Sequence, residues 1–186
     1  MSNPSSILLL HGLGGSGEGS VNLLEGHLRG LGWDSSAFLR PTLTAVHQPE
    51  VGKPMDRVFV QAWEELNVLL AGRVPHLTIG FSFGGLLAAF APSPLRLSVC
   101  SPWALLPTEA VQRAALRDGW HLLQGGADTV VPAEEHLGVV PDRVPRSLDT
   151  VGSHNFDAWM DRIATWAVST WEEHLAVLPH RDAKRP

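Results

Sequence analysis

Short unbroken apolar runs alternate along this chain with longer stretches in which apolar residues recur every three or four positions. The first run, Ile7–Leu10, is apolar throughout, which predicts a strand covered on both faces. Glycines crowd positions 12–19. Val21, Leu24, Leu28 and Leu31 then follow at helical spacing, and Gly30 and Gly32 predict the end of that helix. A weaker strand is expected over 35–39, then a loop carrying three prolines over 40–54. Asp56 is expected to cap a helix whose apolar face is Val58, Ala62, Leu66 and Leu69, with Gly72 at its end. Further strands are predicted at 76–79, 95–99, 120–123 and 146–150, separated by helices over 85–90, 108–117 and 132–137. Phe156, Trp159, Met160, Ile163, Trp166 and Ala167 mark a long closing helix.

Strands and helices in steady alternation predict an α/β protein, with a mainly parallel sheet of about six strands and helices on both faces. One domain is expected over 1–179, with 180–186 as a disordered tail. The net charge of -5, with no basic run before Lys184 and Arg185, speaks against a nucleic-acid partner. A single cysteine, Cys100, excludes an internal disulfide framework and suits a reducing compartment. The N-terminal residues show neither a basic segment nor a long apolar run, so a cytoplasmic protein without a membrane span is expected. No His-Glu-x-x-His pattern or Cys/His cluster occurs, and neither a metal nor another cofactor is expected.

Chemistry enters at Gly80-Phe81-Ser82-Phe83-Gly84, a G-x-S-x-G sequence between a predicted strand and a predicted helix. A strand that turns at once into a helix strains the residue at the turn. Glycines two before and two after let strand and helix pass. Ser82 is thereby presented at the C-terminal edge of the sheet as a candidate nucleophile. A serine hydroxyl is a poor nucleophile without a base to take its proton and a carboxylate to orient that base. Asp128 lies in the turn after strand 120–123, and His154 stands between the last strand and the closing helix. Three turns that each follow a parallel strand emerge at one sheet edge. The backbone N–H groups of Leu13, in the turn after the first strand, and of Phe83 are the natural oxyanion-hole donors.

With these motifs in place, the chain resembles the α/β-hydrolase superfamily. The resemblance rests on H-G-L-G-G-S-G at 11–17, G-F-S-F-G-G at 80–85, G-G-A-D-T-V-V-P at 125–132 and G-S-H at 152–154. It is similar to the small lidless carboxylesterases of the phospholipase/carboxylesterase and acyl-protein thioesterase group. Ser98 to Trp103, followed by Leu105-Leu106-Pro107, resembles their segment after the strand beside the serine. The resemblance implies a minimal α/β-hydrolase without a cap domain and a Ser82–His154–Asp128 triad. It also implies hydrolysis, through an acyl-enzyme, of an ester or thioester of a small acyl group. The segment 100–119 is too short for a lid. An open site is therefore expected, walled by Leu13, Phe83, Trp103 and residues of 40–54.

Two other readings compete. Gly12, Gly14 and Gly17 spell G-x-G-x-x-G between a strand and a helix, as in dinucleotide-binding oxidoreductases. Against this, Asp34 precedes the second strand, whereas the ribose-binding acid should end it. The alternative is a binding protein that keeps the fold and little of the chemistry. Retention of serine, acid and histidine together argues against it.

Overall fold

The computed structural model describes residues 3–33 and 38–182, with side chains up to Val177. Its centre is a six-stranded sheet in the order β2-β1-β3-β4-β5-β6, parallel at every pairing. The strands are β1 (Ile7–Leu10), β2 (Phe38–Leu39), β3 (Leu77–Phe81), β4 (Leu95–Val99), β5 (Trp120–Gly125) and β6 (Arg146–Asp149). The helices are α1 (Ser20–Gly30), α2 (Thr44–His47), α3 (Met55–Leu70), α4 (Phe83–Phe90), α5 (Thr108–Ala115), α6 (Ala133–His136) and α7 (Met160–Asp182).

Successive strand residues feed opposite faces, as the pleat requires. Ile7, Leu9, Ile79, Phe81 and Leu97 pack with Leu24 and Leu28 of α1 and Ile163 and Ala167 of α7. Leu8, Leu10 and Leu122 pack with α3, α4 and α5 on the other face. Buried Arg96 of β4 fastens that second layer. Its guanidinium donates to the carbonyls of Ala89, Ala114 (3.3 Å), Arg117 (2.6 Å) and Asp118 (2.9 Å), where α4 and α5 end. Burial lowers its pKa to about 10, so it stays a cation facing the negative ends of two helices.

The chain leaves β1 for β2 on one side and returns to β3 on the other. The helix after β1 lies on one face and the helix after β3 on the opposite face. The C-terminal ends of β1 and β3 therefore border a crevice, the place where open parallel sheets bind ligands. Register fixes what meets there. Leu10 pairs with Gly80, so the residues just beyond, His11 and Gly12, run beside Phe81 and Ser82.

Several boundaries differ from expectation. α3 steps in fours through Val58, Ala62, Leu66 and Leu70, leaving Leu69 48% exposed, because the third step of that series lands on Leu70. Pro54, not Asp56, holds the capping position. Asp56 is the second residue of the helix, within its first turn, and accepts the Arg57 N–H at 2.8 Å. The segment 40–54 is not wholly loop, since it contains α2. Between β4 and β5 lie only a short turn, Trp103–Leu105, and α5, so no cap domain enters there. Of the second expected strand, 38–39 forms β2, while 35–37 and Asp34 lie outside the described residues. Of the expected tail, the backbone is helical to Asp182, and 183–186 lie outside the described residues.

Candidate active site

Ser82 follows β3 directly and precedes α4, with φ +50° and ψ -121°. Such a conformation costs a residue with a side chain about 1–3 kcal/mol. The flanking glycines make it sterically possible. A Cβ on Gly80 would lie 2.1 Å from the Gly84 carbonyl oxygen, and one on Gly84 would lie 2.4 Å from that of Leu10. The turn is held from below by the Ser82 N–H, which donates to the Val99 carbonyl at 2.8 Å.

The structure brings Ser82, His154 and Asp128 into one hydrogen-bonded chain. His154 Nε2 lies 3.1 Å from Ser82 Oγ, and His154 Nδ1 lies 2.9 Å from Asp128 Oδ2. The other carboxylate oxygen of Asp128 accepts the N–H groups of Val130 (2.9 Å) and Val131 (2.8 Å). Asp128 therefore has one oxygen committed to its own loop and one to the imidazole. Its side chain is fully shielded, whereas that of His154 is 22% exposed and open to a substrate. The loops are knit together by backbone: Ala127 N–H donates to the Gly152 carbonyl at 2.9 Å, and Gly126 N–H to that of Asp149 at 2.7 Å. Cys100, beneath this edge, is fully buried, and burial pushes its thiol pKa up. It stays protonated and is no rival nucleophile.

The turn after β1 completes the site, and His11 organises it. Leu43 N–H donates to His11 Nε2 at 3.1 Å, so the ring proton sits on Nδ1, which donates to the Gly12 carbonyl at 2.8 Å. Gly15 N–H reaches the same carbonyl at 3.0 Å. The Gly12 C=O and the Leu13 N–H belong to one trans peptide and point opposite ways. Anchoring the carbonyl therefore turns the Leu13 N–H away from the ring. Among the described residues, neither the Leu13 nor the Phe83 N–H has an acceptor. Burial is the main cause that lowers the His11 pKa, which keeps the ring neutral, as its acceptor role toward Leu43 demands. Segment 40–54 braces this turn from behind. Gly14 N–H donates to the Val46 carbonyl at 2.9 Å, His47 Nδ1 to that of Gly15 at 2.7 Å, and Gly17 N–H to Thr42 Oγ1 at 2.9 Å.

No family model matches this sequence, and no curated protein matches it. Solved structures do. Mouse alpha/beta hydrolase domain-containing protein 10 superposes with a TM-score of 0.65 at 15% identity, over 96% of this chain and 92% of that one. An alpha-beta serine hydrolase homologue from Coxiella burnetii gives 0.66 at 18% identity, over 91% and 86%. A monoacylglycerol lipase from Paleococcus ferrophilus gives 0.57 at 15% identity, over 91% and 97%. The chain has the α/β-hydrolase fold.

Within this α/β-hydrolase fold, a cavity of about 400 Å³ opens at the switch between β1 and β3. Leu13, Phe81, Val130 and Phe156 give it an apolar lining, and Ser16 and Ser20 add hydroxyls beside Ser82 and His154. No Lys, Arg, Asp or Glu among the described residues lines it. Two expected wall residues are elsewhere. Trp103 is 1% exposed and packs edge-on against Trp120 at 4.7 Å, because the turn after β4 folds down onto the α5 layer. The Phe83 side chain is also fully buried on that face, near Phe59, so only its backbone bears on the site. Segment 40–54 contributes no lining residue.

Sequence reasoning missed five lining residues: Ser16, Ser20, Val130, and Phe81 and Phe156, whose ring centroids lie 4.8 Å apart. Alternation along β3 from Leu77 and Ile79 signals that Phe81 faces the α1/α7 side, where the cavity lies. The glycine pattern at 12–17 also has a packing explanation. A Cβ on Gly12 would come 3.0 Å from Ser82 Cβ, and one on Gly17 would come 2.2 Å from the Arg40 carbonyl oxygen. Among the described residues, no three His, Cys, Asp or Glu side chains group as metal ligands would. No helix there is long and apolar enough to cross a membrane.

Proposed function

We propose that this protein is a serine hydrolase that cleaves a carboxylic ester or thioester of a short, uncharged acyl group. The observation that carries the reading is the unbroken chain from Ser82 Oγ through the His154 ring to the Asp128 carboxylate. His154 Nε2 takes the hydroxyl proton as Ser82 Oγ attacks the acyl carbonyl. Asp128 holds the imidazole in the tautomer whose Nε2 is free to accept, and stabilises the imidazolium that forms. Carbonyl π electrons move onto oxygen, and the N–H groups of Leu13 and Phe83 receive that oxyanion. The tetrahedral intermediate collapses, the bond to the leaving alcohol or thiol breaks, and His154 returns the proton to it. Water then enters, loses a proton to His154 and attacks the acyl carbonyl; as the acyl–oxygen bond breaks, His154 passes that proton to Ser82 Oγ and the acid leaves. All these groups come from the chain itself, and the chemistry calls for no cofactor.

Substrate class follows from the cavity. Its volume is at the small end for ligand sites, and its lining is mostly apolar. A cytoplasmic setting belongs to the same proposal and rests on the single buried Cys100. The test is reaction with a fluorophosphonate, which forms a covalent bond only with an activated serine. One equivalent should attach at Ser82, and Ser82→Ala should abolish labelling and leave less than about a thousandth of the esterase turnover. A folded wild-type protein that does not label is a binding protein instead.

A further inference from the structure

We propose that Gln124 is a positioning residue for Asp128, acting through Val131; the inference rests on the triad reading above. On β5, Trp120 and Leu122 face the α5 layer, and the next residue on that face is Gln124. The pleat calls for an apolar side chain there, yet a carboxamide is buried to 2% exposure. Burying an amide without partners is costly, so its bonds explain its presence. Gln124 Nε2 donates to the Val131 carbonyl at 2.7 Å, with a longer contact of 3.5 Å to the Gly125 carbonyl. Both neighbours are acceptors only, which fixes the amide with its nitrogen toward them.

Val131 is thus held at both ends. Its carbonyl takes the Gln124 amide, and its N–H donates to Asp128 Oδ1 at 2.8 Å. Pro132 follows and brings no N–H of its own to compete for a partner. Gly125, next to Gln124, is fixed in turn by donating its N–H to Cys100 Sγ at 3.2 Å. The strand end, the backbone of Val131 on both sides of its Cα and the carboxylate form one relay. Gln124 sets where Val131 N–H points, Val131 sets the rotation of the Asp128 carboxylate, and that rotation aims Oδ2 at His154. Gln124 touches no substrate atom. Its effect belongs in kcat rather than KM, because carboxylate orientation matters most when the imidazole becomes charged.

The experiment is a double-mutant cycle. Gln124→Met keeps the shape of the side chain and removes the donor. It should lower kcat, and the rate of fluorophosphonate labelling, about tenfold, with KM within twofold, while the buried Val131 carbonyl, left without its donor, lowers the melting temperature by a few degrees. In an Asp128→Asn background the same change should alter the labelling rate by less than twofold, since the group it orients is gone. Gln124→Glu supplies a second line: its buried carboxyl donates to Val131 while protonated. Its rate relative to wild type should exceed that of Gln124→Met at pH 6 and fall as pH rises to 9. Wild-type kcat in Gln124→Met overturns the proposal, as does an equal loss in the Asp128→Asn background or a flat pH ratio for Gln124→Glu. If Asp128→Asn costs activity and Gln124→Met does not, the triad reading stands and this inference falls. If Asp128→Asn itself is silent, the triad reading falls and takes the inference with it.

Discussion

Replacing His11 by leucine tests the oxyanion turn most directly. The change deletes two hydrogen bonds at once: the acceptor for Leu43 N–H and the donor to the Gly12 carbonyl. Leu43 is 1% exposed, so its N–H is left buried and unpaired, at a cost of about 1–3 kcal/mol. The Gly12 carbonyl still receives Gly15 N–H at 3.0 Å and adds little to that cost. In a domain of this size the loss corresponds to a drop of roughly 2–12 °C in melting temperature. The catalytic effect follows from the peptide shared by Gly12 and Leu13. Outright removal of an oxyanion donor lowers kcat by about 10²–10³. Because Gly15 still holds the carbonyl, the Leu13 N–H is loosened rather than lost, and a loss of about 10- to 100-fold is expected. Steady-state hydrolysis of p-nitrophenyl acetate gives kcat and KM, and thermal unfolding gives the stability term. A variant that melts lower as expected but keeps kcat within threefold of wild type refutes the link from His11 to the oxyanion.

Asp128→Asn should leave KM nearly unchanged and lower kcat by about 10⁴, since the amide no longer favours the working tautomer; a near-silent variant would move the acid elsewhere, with Glu134 of α6 next to test, because Asp118 precedes β5 at the opposite edge of the sheet. Burial is the leading cause that lowers the pKa values of His11, His121 and His136 from the ordinary 6.5. The unfolded chain therefore takes up protons near pH 6.5 that the native state refuses, and stability is full above that pH and declines below it. Urea midpoints at pH 7.5 and 5.5 check this, and a higher midpoint at pH 5.5 contradicts it. An open cavity of about 400 Å³ favours short acyl chains, so kcat/KM should not climb steeply along p-nitrophenyl esters out to twelve carbons; such a climb would point to a concealed acyl tunnel. With no cationic side chain in its lining, the cavity should also handle a hemisuccinate ester at least about a hundredfold worse than the butyrate, because an unpaired carboxylate would be desolvated there. Comparable rates for the two would refute an uncharged acyl site.

The sheet was legible because its inner strands, β1, β3, β4 and β5, are buried on both faces and appear as largely apolar runs, as a parallel, helix-covered sheet requires. Glycines around Ser82 exposed the turn for the same steric reason that the structure requires them. Other features depend on direction rather than sequence. Trp103 follows a strand, as pocket residues often do, but whether its turn folds toward the crevice or onto the α5 layer depends on packing with Trp120, seventeen positions on. The role of 40–54 was hidden for a different reason: each of its hydrogen bonds to the 11–17 turn uses a backbone group on at least one side, as in Gly14 N–H to the Val46 carbonyl and Leu43 N–H to His11 Nε2, and side-chain patterns do not show that partner. Phe81 was within reach of simple alternation from Leu77, and Phe156 was not. Its place follows from the short turn Phe156–Trp159 that begins just after His154.

Several of the bonds that hold the site are between backbone groups, and this bears on how it can vary. Ser82 N–H reaches Val99, Gly126 N–H reaches Asp149, Ala127 N–H reaches Gly152 and Gly14 N–H reaches Val46. Each such bond contributes about 1 kcal/mol net, so together they offset the strain of about 1–3 kcal/mol stored at Ser82. None of them depends on which side chains line the cavity. Leu13 and Val130, at 41% and 65% exposure, are therefore free to change the shape of the acyl site without moving serine, histidine or aspartate. His11 and Gln124 are in the opposite position: each is buried, and each fixes a backbone carbonyl next to a group of the site. On the proposed reading, selectivity would rest on Leu13 and Val130 and competence on His11 and Gln124.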